Sequence, residues 1–213
     1  MTKNISRRNV MALLSVAPLV GAAVVRGETP KPAAGTKAED IASRDRIRQR
    51  HFPNVQLTTH EGKKVRFYDD LIKDKIVVIN FMYADCAGVC PRMTSNLVRV
   101  QEMLGARVGR DVHMYSFTLK PRQDTPAALH AYARMHGVRP GWLFLTGTAG
   151  EIETLRRALG FYDSDPVRDR DIGNHIGMVL FGNEALDRWA SCPAIAEPSE
   201  LARLVTWMDN PGV

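Results

Sequence analysis

From Val55 to Asp209 the apolar positions follow two periods, and the switches between them mark out the elements. Val55-Gln-Leu-Thr-Thr alternates, His60-Glu61-Gly62-Lys63 interrupts it, and Val65-Arg-Phe-Tyr resumes, so a β-hairpin is expected. Residues 69–73 predict one helical turn. The run from Lys75 to Tyr83 is almost wholly apolar and β-branched, which predicts a strand buried on both faces. From Pro91 to Arg107 the period lengthens to that of an amphipathic helix. Pro91 suits its first turn, where a missing N–H costs nothing. The alternation then repeats, with a strand over Val112–Thr118, a helix over residues 125–136 opened by Thr125-Pro126, and a strand over Trp142–Thr146. Residues 148–159 predict a third helix, stopped by Gly160. Residues 162–173 show no period and predict irregular chain. Residues 175–181 predict a strand, Gly182-Asn183 a turn into a returning strand over 185–189, and residues 199–209 a closing helix. Strands alternating with helices predict an α/β domain of three layers, with a central mixed sheet flanked by helices and an additional N-terminal β-hairpin.

Composition agrees, since 213 residues with 45% hydrophobic and 24% charged suit one globular domain with short extensions. The net charge of +6 is unevenly placed: Lys3, Arg7, Arg8 and Arg26 lie in residues 1–26, which hold no acid. The remainder is close to neutral and has no basic run interleaved with aromatics, so no nucleic-acid partner is expected. Adjacent Arg7-Arg8 precede an uncharged stretch of about 16 residues, short of the roughly 20 that span a bilayer. With Gly21-Ala22-Ala23 beyond it, this predicts a twin-arginine-like export signal or an uncleaved membrane anchor. The expected location is the periplasm or the outer face of the inner membrane. Residues 27–50 are rich in Pro, Ala, Lys and Asp and predict a flexible tether, with a short charged helix over 41–50. Residues 51–213 form the domain.

The candidate chemistry lies where the buried strand gives way to the first helix, at Cys86-Ala-Gly-Val-Cys90. A helix N-terminus favours thiolate. Thiols at i and i+4 can point at one ion, and they can also form a disulfide. His175, heading a later strand, is the candidate third ligand. Two Cys and one His make a soft set suited to Cu(I), and Cu(II) could add water or a weak ligand. A structural disulfide in an exported protein is one alternative. A thiol–disulfide oxidoreductase acting on a partner's cysteines, with Cys86 and Cys90 as its catalytic thiols, is another, although its usual spacing is one residue shorter. Cys192 leaves an odd thiol, read as a small buried residue near the last helix or as a resolving thiol. Met82, Met93 and Met178 fit core packing better than ligation. Tyr83 and Asp85 flank the cysteines, and His51, His60, His113, His130 and His136 have no cysteine context.

The run Asn80-Phe-Met-Tyr-Ala-Asp-Cys86-Ala-Gly-Val-Cys90-Pro91 resembles the signature of the SCO/SenC family of thioredoxin-like copper-binding proteins. Gln123-Asp124-Thr125-Pro126, Leu145-Thr146-Gly147 and the single His175 resemble it too, so the similarity spans about residues 53–208. The resemblance implies a thioredoxin-like fold with an extra N-terminal hairpin, and copper bound by Cys86, Cys90 and His175. It also implies a role in assembling the binuclear copper site of cytochrome c oxidase, by copper delivery or by reduction of the recipient's cysteines. The implied partners are a copper-receiving protein, such as a cytochrome c oxidase subunit, or a periplasmic copper chaperone. Two positions depart from the family pattern. Lys120 stands where an acidic residue usually precedes the proline after the second strand, and Asn174 stands where Asp usually precedes the histidine. Both remove negative charge, so Cu(II) should be held less well than Cu(I).

Overall fold

The structure, a computed structural model, describes residues 48, 51–172 and 177–209. The expected export signal, Asn174, His175 and, of the expected tether, everything but Arg48 lie outside the described residues. The expected hairpin is β1 (Gln56–Thr59) and β2 (Lys64–Arg66), with Leu57 opposite Val65. A π-helical turn, Phe67–Ile72, takes the place of the predicted strand end and helical turn. It follows because Phe67, Leu71 and Ile72 all fall on one side and are buried there. β3 (Ile76–Met82) is buried along its whole length and is the centre of the fold.

After β3 come α1 (Val89–Leu104), β4 (Val112–Thr118), α2 (Pro126–Met135), β5 (Trp142–Thr146) and α3 (Ala149–Ala158). Thr125 caps α2 by accepting from the Ala128 amide at 3.2 Å, and Thr148 with Glu151 forms a reciprocal capping box on α3. A short helix, α4 (Pro166–Arg170), stands where irregular chain was expected. Asp165 caps it, and Asp169 anchors it by receiving the Arg156 guanidinium on both oxygens at 2.5 and 2.8 Å. Local polar contacts rather than an apolar period hold this turn, so hydrophobic patterning could not reveal it. The chain ends in β6 (Met178–Asn183), β7 (Arg188–Pro193) and α5 (Pro198–Trp207).

The seven strands lie in the order β2-β1-β5-β4-β3-β6-β7. β3, β4 and β5 are parallel, while the hairpins β1–β2 and β6–β7 attach antiparallel, giving the expected mixed sheet. Alternation along β3 divides the core. Ile76, Val78 and Met82 face a layer containing Leu97, Val100, Leu129, Tyr132, Leu201 and Val205 of α1, α2 and α5. Val77, Ile79 and Phe81 face Ile152 and Leu155 of α3 together with Phe67 and Ile72.

The predicted turn at Gly182-Asn183 is corrected, because both residues belong to β6 and the chain reverses over residues 184–187. Gly182 pairs with Trp189 across the ladder, and a Cβ on it would collide with the Trp189 ring. The glycine makes room for an aromatic neighbour rather than for a bend.

Candidate metal centre

The site is assembled at the C-terminal ends of two adjacent parallel strands, where open α/β sheets offer a crevice. Asp124 is only 3% exposed, and its carboxylate accepts the Ala84 amide at 3.1 Å and the Thr118 hydroxyl. The Lys120 amide donates to Thr118 Oγ1 at 2.9 Å, so one buried carboxylate fixes both the chain after β3 and the chain after β4. This clamp lay in the Gln123-Asp124-Thr125-Pro126 segment, but periodicity alone could not assign it a partner.

α1 opens at Gly88, whose φ of −97° and ψ of −120° are non-helical and whose missing side chain provides no cap. The first N–H groups of the helix are thus available to other acceptors. Cys86 lies in the turn before α1 and Cys90 in its first turn, so the two do not stack along a helix face as their spacing suggested. The turn through Gly88 brings them together instead. Cys86 and Cys90 are free thiols and both are buried.

Their environments differ. Burial opposes the Cys86 thiolate, but hydrogen bonds from the Cys90 thiol and amide, the Tyr83 hydroxyl and the Gly88 amide outweigh it and bring its pKa below the ordinary value. Burial pushes the Cys90 thiol up to about 12, and its hydrogen bond to the Cys86 sulfur adds to the shift. Only one thiol is therefore activated, where the sequence suggested both. Tyr83 is raised to about 12 by its hydrogen bond to Cys86, then by burial. Above the Tyr83 ring, 4.0 Å from its centroid, sits Lys120 Nζ.

The other candidates separate from the pair. Met93 and Met82 are fully buried in the core, and the Met93 sulfur accepts from Asn80 Nδ2 at 3.7 Å. Cys192 lies on β7 opposite Val179, against the core cluster that includes Leu201 and Val205 of the last helix, and it is half-buried rather than buried. Its Sγ lies 3.5 Å from the Pro193 carbonyl that accepts its proton, and burial raises its pKa. His60 Nδ1 accepts the Phe144 amide at 3.1 Å, and His136 lies against Tyr132 with ring centroids 4.3 Å apart. Asp85 is exposed.

Among the described residues no three His, Cys, Asp or Glu side chains gather as a metal cluster. Cys86 and Cys90 are the two soft donors that do come together. The described chain resumes at Gly177, where an added Cβ would lie 3.5 Å from Val89 Cγ2 at the start of α1.

A model of the SCO1/SenC family matches residues 44–209. The chain belongs to the SCO1/SenC family. It is 27% identical over 180 residues to the mitochondrial SCO1 homolog of Homo sapiens, covering 79% of this chain and 57% of that protein. It spans about half the length of the curated relatives it matches. Its fold is similar to that of copper-bound ScoI of Bradyrhizobium japonicum, with a TM-score of 0.60, 24% identity, and coverage of 74% of this chain and 98% of that one. It is also similar to BsSco, described with a disulfide switch and as a member of the Sco family of cytochrome c oxidase assembly proteins. The TM-score there is 0.56 at 22% identity, covering 71% of this chain and 89% of that one. At these identities the structures establish a shared thioredoxin-like SCO fold.

Proposed function

We propose that this SCO1/SenC chain is an exported copper-binding protein that holds Cu(I) on Cys86, Cys90 and His175. The delivery step passes the ion to a copper enzyme, such as cytochrome c oxidase at its binuclear copper site. The observation that carries this reading is the meeting of Cys86 and Cys90 at the uncapped start of α1, with Cys86 favoured as thiolate. Thiolate and imidazole donors suit Cu(I), and a set of three leaves room for an incoming thiol of the recipient to replace them stepwise. The copper-bound ScoI structure supports copper as the ligand of this fold. Residues 1–26 serve as signal or anchor and residues 27–50 as tether in this reading. No helix of the described residues is long and apolar enough to cross a membrane.

Anaerobic titration of the reduced full chain with Cu(I), against a chromophoric Cu(I) chelator, tests the reading. One Cu(I) per chain is expected. Cys86→Ala and Cys90→Ala should each weaken it by about 100-fold, roughly 2.7 kcal/mol, and His175→Ala should weaken it by about tenfold or more. Wild-type affinity in His175→Ala would remove the histidine from the ligand set.

The asymmetry of the two thiols favours a second reading, a thiol–disulfide oxidoreductase. Cys86 would attack a partner disulfide, and Cys90, after losing its proton, would displace the partner to leave a Cys86–Cys90 disulfide and a reduced partner. Cys90→Ser should then trap a mixed disulfide through Cys86, and His175→Ala should leave that exchange intact.

A further inference from the structure

We propose that Lys120 sets the charge at the thiol pair and thereby holds the site to monovalent copper, an inference that rests on the copper reading above. Lys120 Nζ lies 4.0 Å from the centroid of the Tyr83 ring, a cation–π contact. Tyr83 is 9% exposed and Lys120 half-buried, so the contact is partly shielded from water. The hydroxyl of the same ring donates to the Cys86 sulfur, which places the ammonium one aromatic side chain away from the activated thiol.

The backbone is held on both sides of this contact. The Lys120 amide is held by Thr118 Oγ1, the Thr118 hydroxyl by Asp124, and the Ala84 amide next to Tyr83 by the same carboxylate. The backbone at Lys120 and beside Tyr83 is therefore held in place, and the cation–π contact seats the ammonium on the ring.

Charge counting then gives the selection. Two thiolates with Cu(I) carry a net −1, and a neutral imidazole leaves that unchanged. The same donors with Cu(II) carry no net charge. A fixed +1 nearby lowers the energy of the first and has no net charge to act on in the second. Asp171 and Asp124 add negative charge in the same neighbourhood, so the lysine also offsets carboxylates that would otherwise favour the dication.

Lys120→Gln removes the charge at similar length, and Lys120→Arg restores it. Affinities for Cu(I) and Cu(II) are measured on the full chain by competition with chelators specific to each state. Lys120→Gln should lower the ratio of Cu(I) to Cu(II) affinity by about tenfold, equal to a fall of about 59 mV in the one-electron midpoint potential. Lys120→Arg should stay within about threefold of wild type.

A metal-free measurement reads the same charge. The Cys86 peptide is quantified by mass after reaction with anionic iodoacetate or neutral iodoacetamide, and the ratio of the two rates cancels the thiolate fraction. That ratio should fall about threefold in Lys120→Gln and return in Lys120→Arg. An unchanged rate ratio in Lys120→Gln, or Lys120→Arg behaving like Lys120→Gln, overturns the inference whatever the metal data show. An unchanged Cu(I)-to-Cu(II) ratio overturns the selection role. If the rate ratio falls as expected while wild type holds no copper tightly, the copper reading fails, and the selection role fails with it.

Discussion

At Cys86 two effects of comparable size oppose each other, and the outcome decides the chemistry of the site. Burying an unpaired charge costs several kcal/mol, while each hydrogen bond to a charged group returns about 1.5–3 kcal/mol. Donors from Cys90, Tyr83 and Gly88 converge on Cys86, so hydrogen bonding prevails there. Cys90 donates a hydrogen bond to that arrangement, keeps its proton and stays neutral. The rate of Cys86 alkylation by iodoacetamide should therefore rise with pH through a midpoint below the ordinary thiol value. Tyr83→Phe, which deletes one donor, should move that midpoint upward; a midpoint that does not move would show that the phenol contributes nothing. The sign for stability follows from the same shift. A depressed folded pKa means that the Cys86 thiolate adds stability above the ordinary thiol pKa, about 8.5. This contribution is lost as pH falls through the lower folded value. The pair itself was legible in the sequence because strand, turn and helix N-terminus each leave a residue pattern. The inequality of the two thiols was not, because it depends on where Tyr83 and the amides of Gly88 and Cys90 point.

The elements divide by what holds them. β3, β4, β5, α1 and α2 follow the apolar period closely, since each presents a continuous face to the core. α4 and the β6–β7 reversal escaped that reading for different reasons. α4 is held by polar contacts, with Arg156 bonding Asp169, Glu153 and the Phe161 carbonyl, and Asp169 lying well below the usual carboxylate pKa because of Arg156. In β6, the pair Gly182-Asn183 carries the composition of a turn but sits in the ladder. Asn183 is 7% exposed and reaches the Met208 carbonyl at 3.3 Å, while Gly182 lies under Trp189. Adding a methyl group at Gly182 forces the indole or the strand to move. Gly182→Ala should destabilise the chain by about 1–3 kcal/mol, read as a lower urea midpoint with an unchanged slope. A neutral result would mean that the Trp189 ring shifts freely, and that the glycine is in β6 for some reason other than room. The thiols lie beyond the opposite end of this strand, so the variant should keep Cu(I) affinity within about twofold.

Across the whole molecule, β3 separates two ends with different work. Its C-terminal end leads to Tyr83 and Cys86. At its N-terminal end the Lys75 carbonyl accepts the Glu184 amide at 3.1 Å, and Arg48 pairs with the Glu184 carboxylate beside it. Seven strand residues at about 3.3 Å each put roughly 20 Å between these ends. Arg48 therefore meets the domain at the end of the sheet away from the thiols. The joint is chemically defined. Glu184 is 2% exposed, and its carboxylate accepts Arg48 Nε at 2.9 Å, the Tyr68 hydroxyl at 3.0 Å and the Asp74 amide at 2.9 Å. Phe52 lies against both Tyr68 and Trp189, with ring-centroid separations of 6.2 and 4.7 Å. Arg48 supplies the positive charge to this group, and removing it leaves a buried carboxylate with two neutral donors. Because the Arg48 side chain is 35% exposed, water can replace part of what is lost. Arg48→Ala should thus cost about 2 kcal/mol, measured by urea unfolding at pH 7. Arg48→Ala with Glu184→Gln should recover part of that loss, since the second change removes the stranded charge. Cu(I) affinity should remain within about twofold of wild type in both variants. A loss of copper binding in Arg48→Ala at full fold stability would mean that the two ends of β3 are coupled rather than separate.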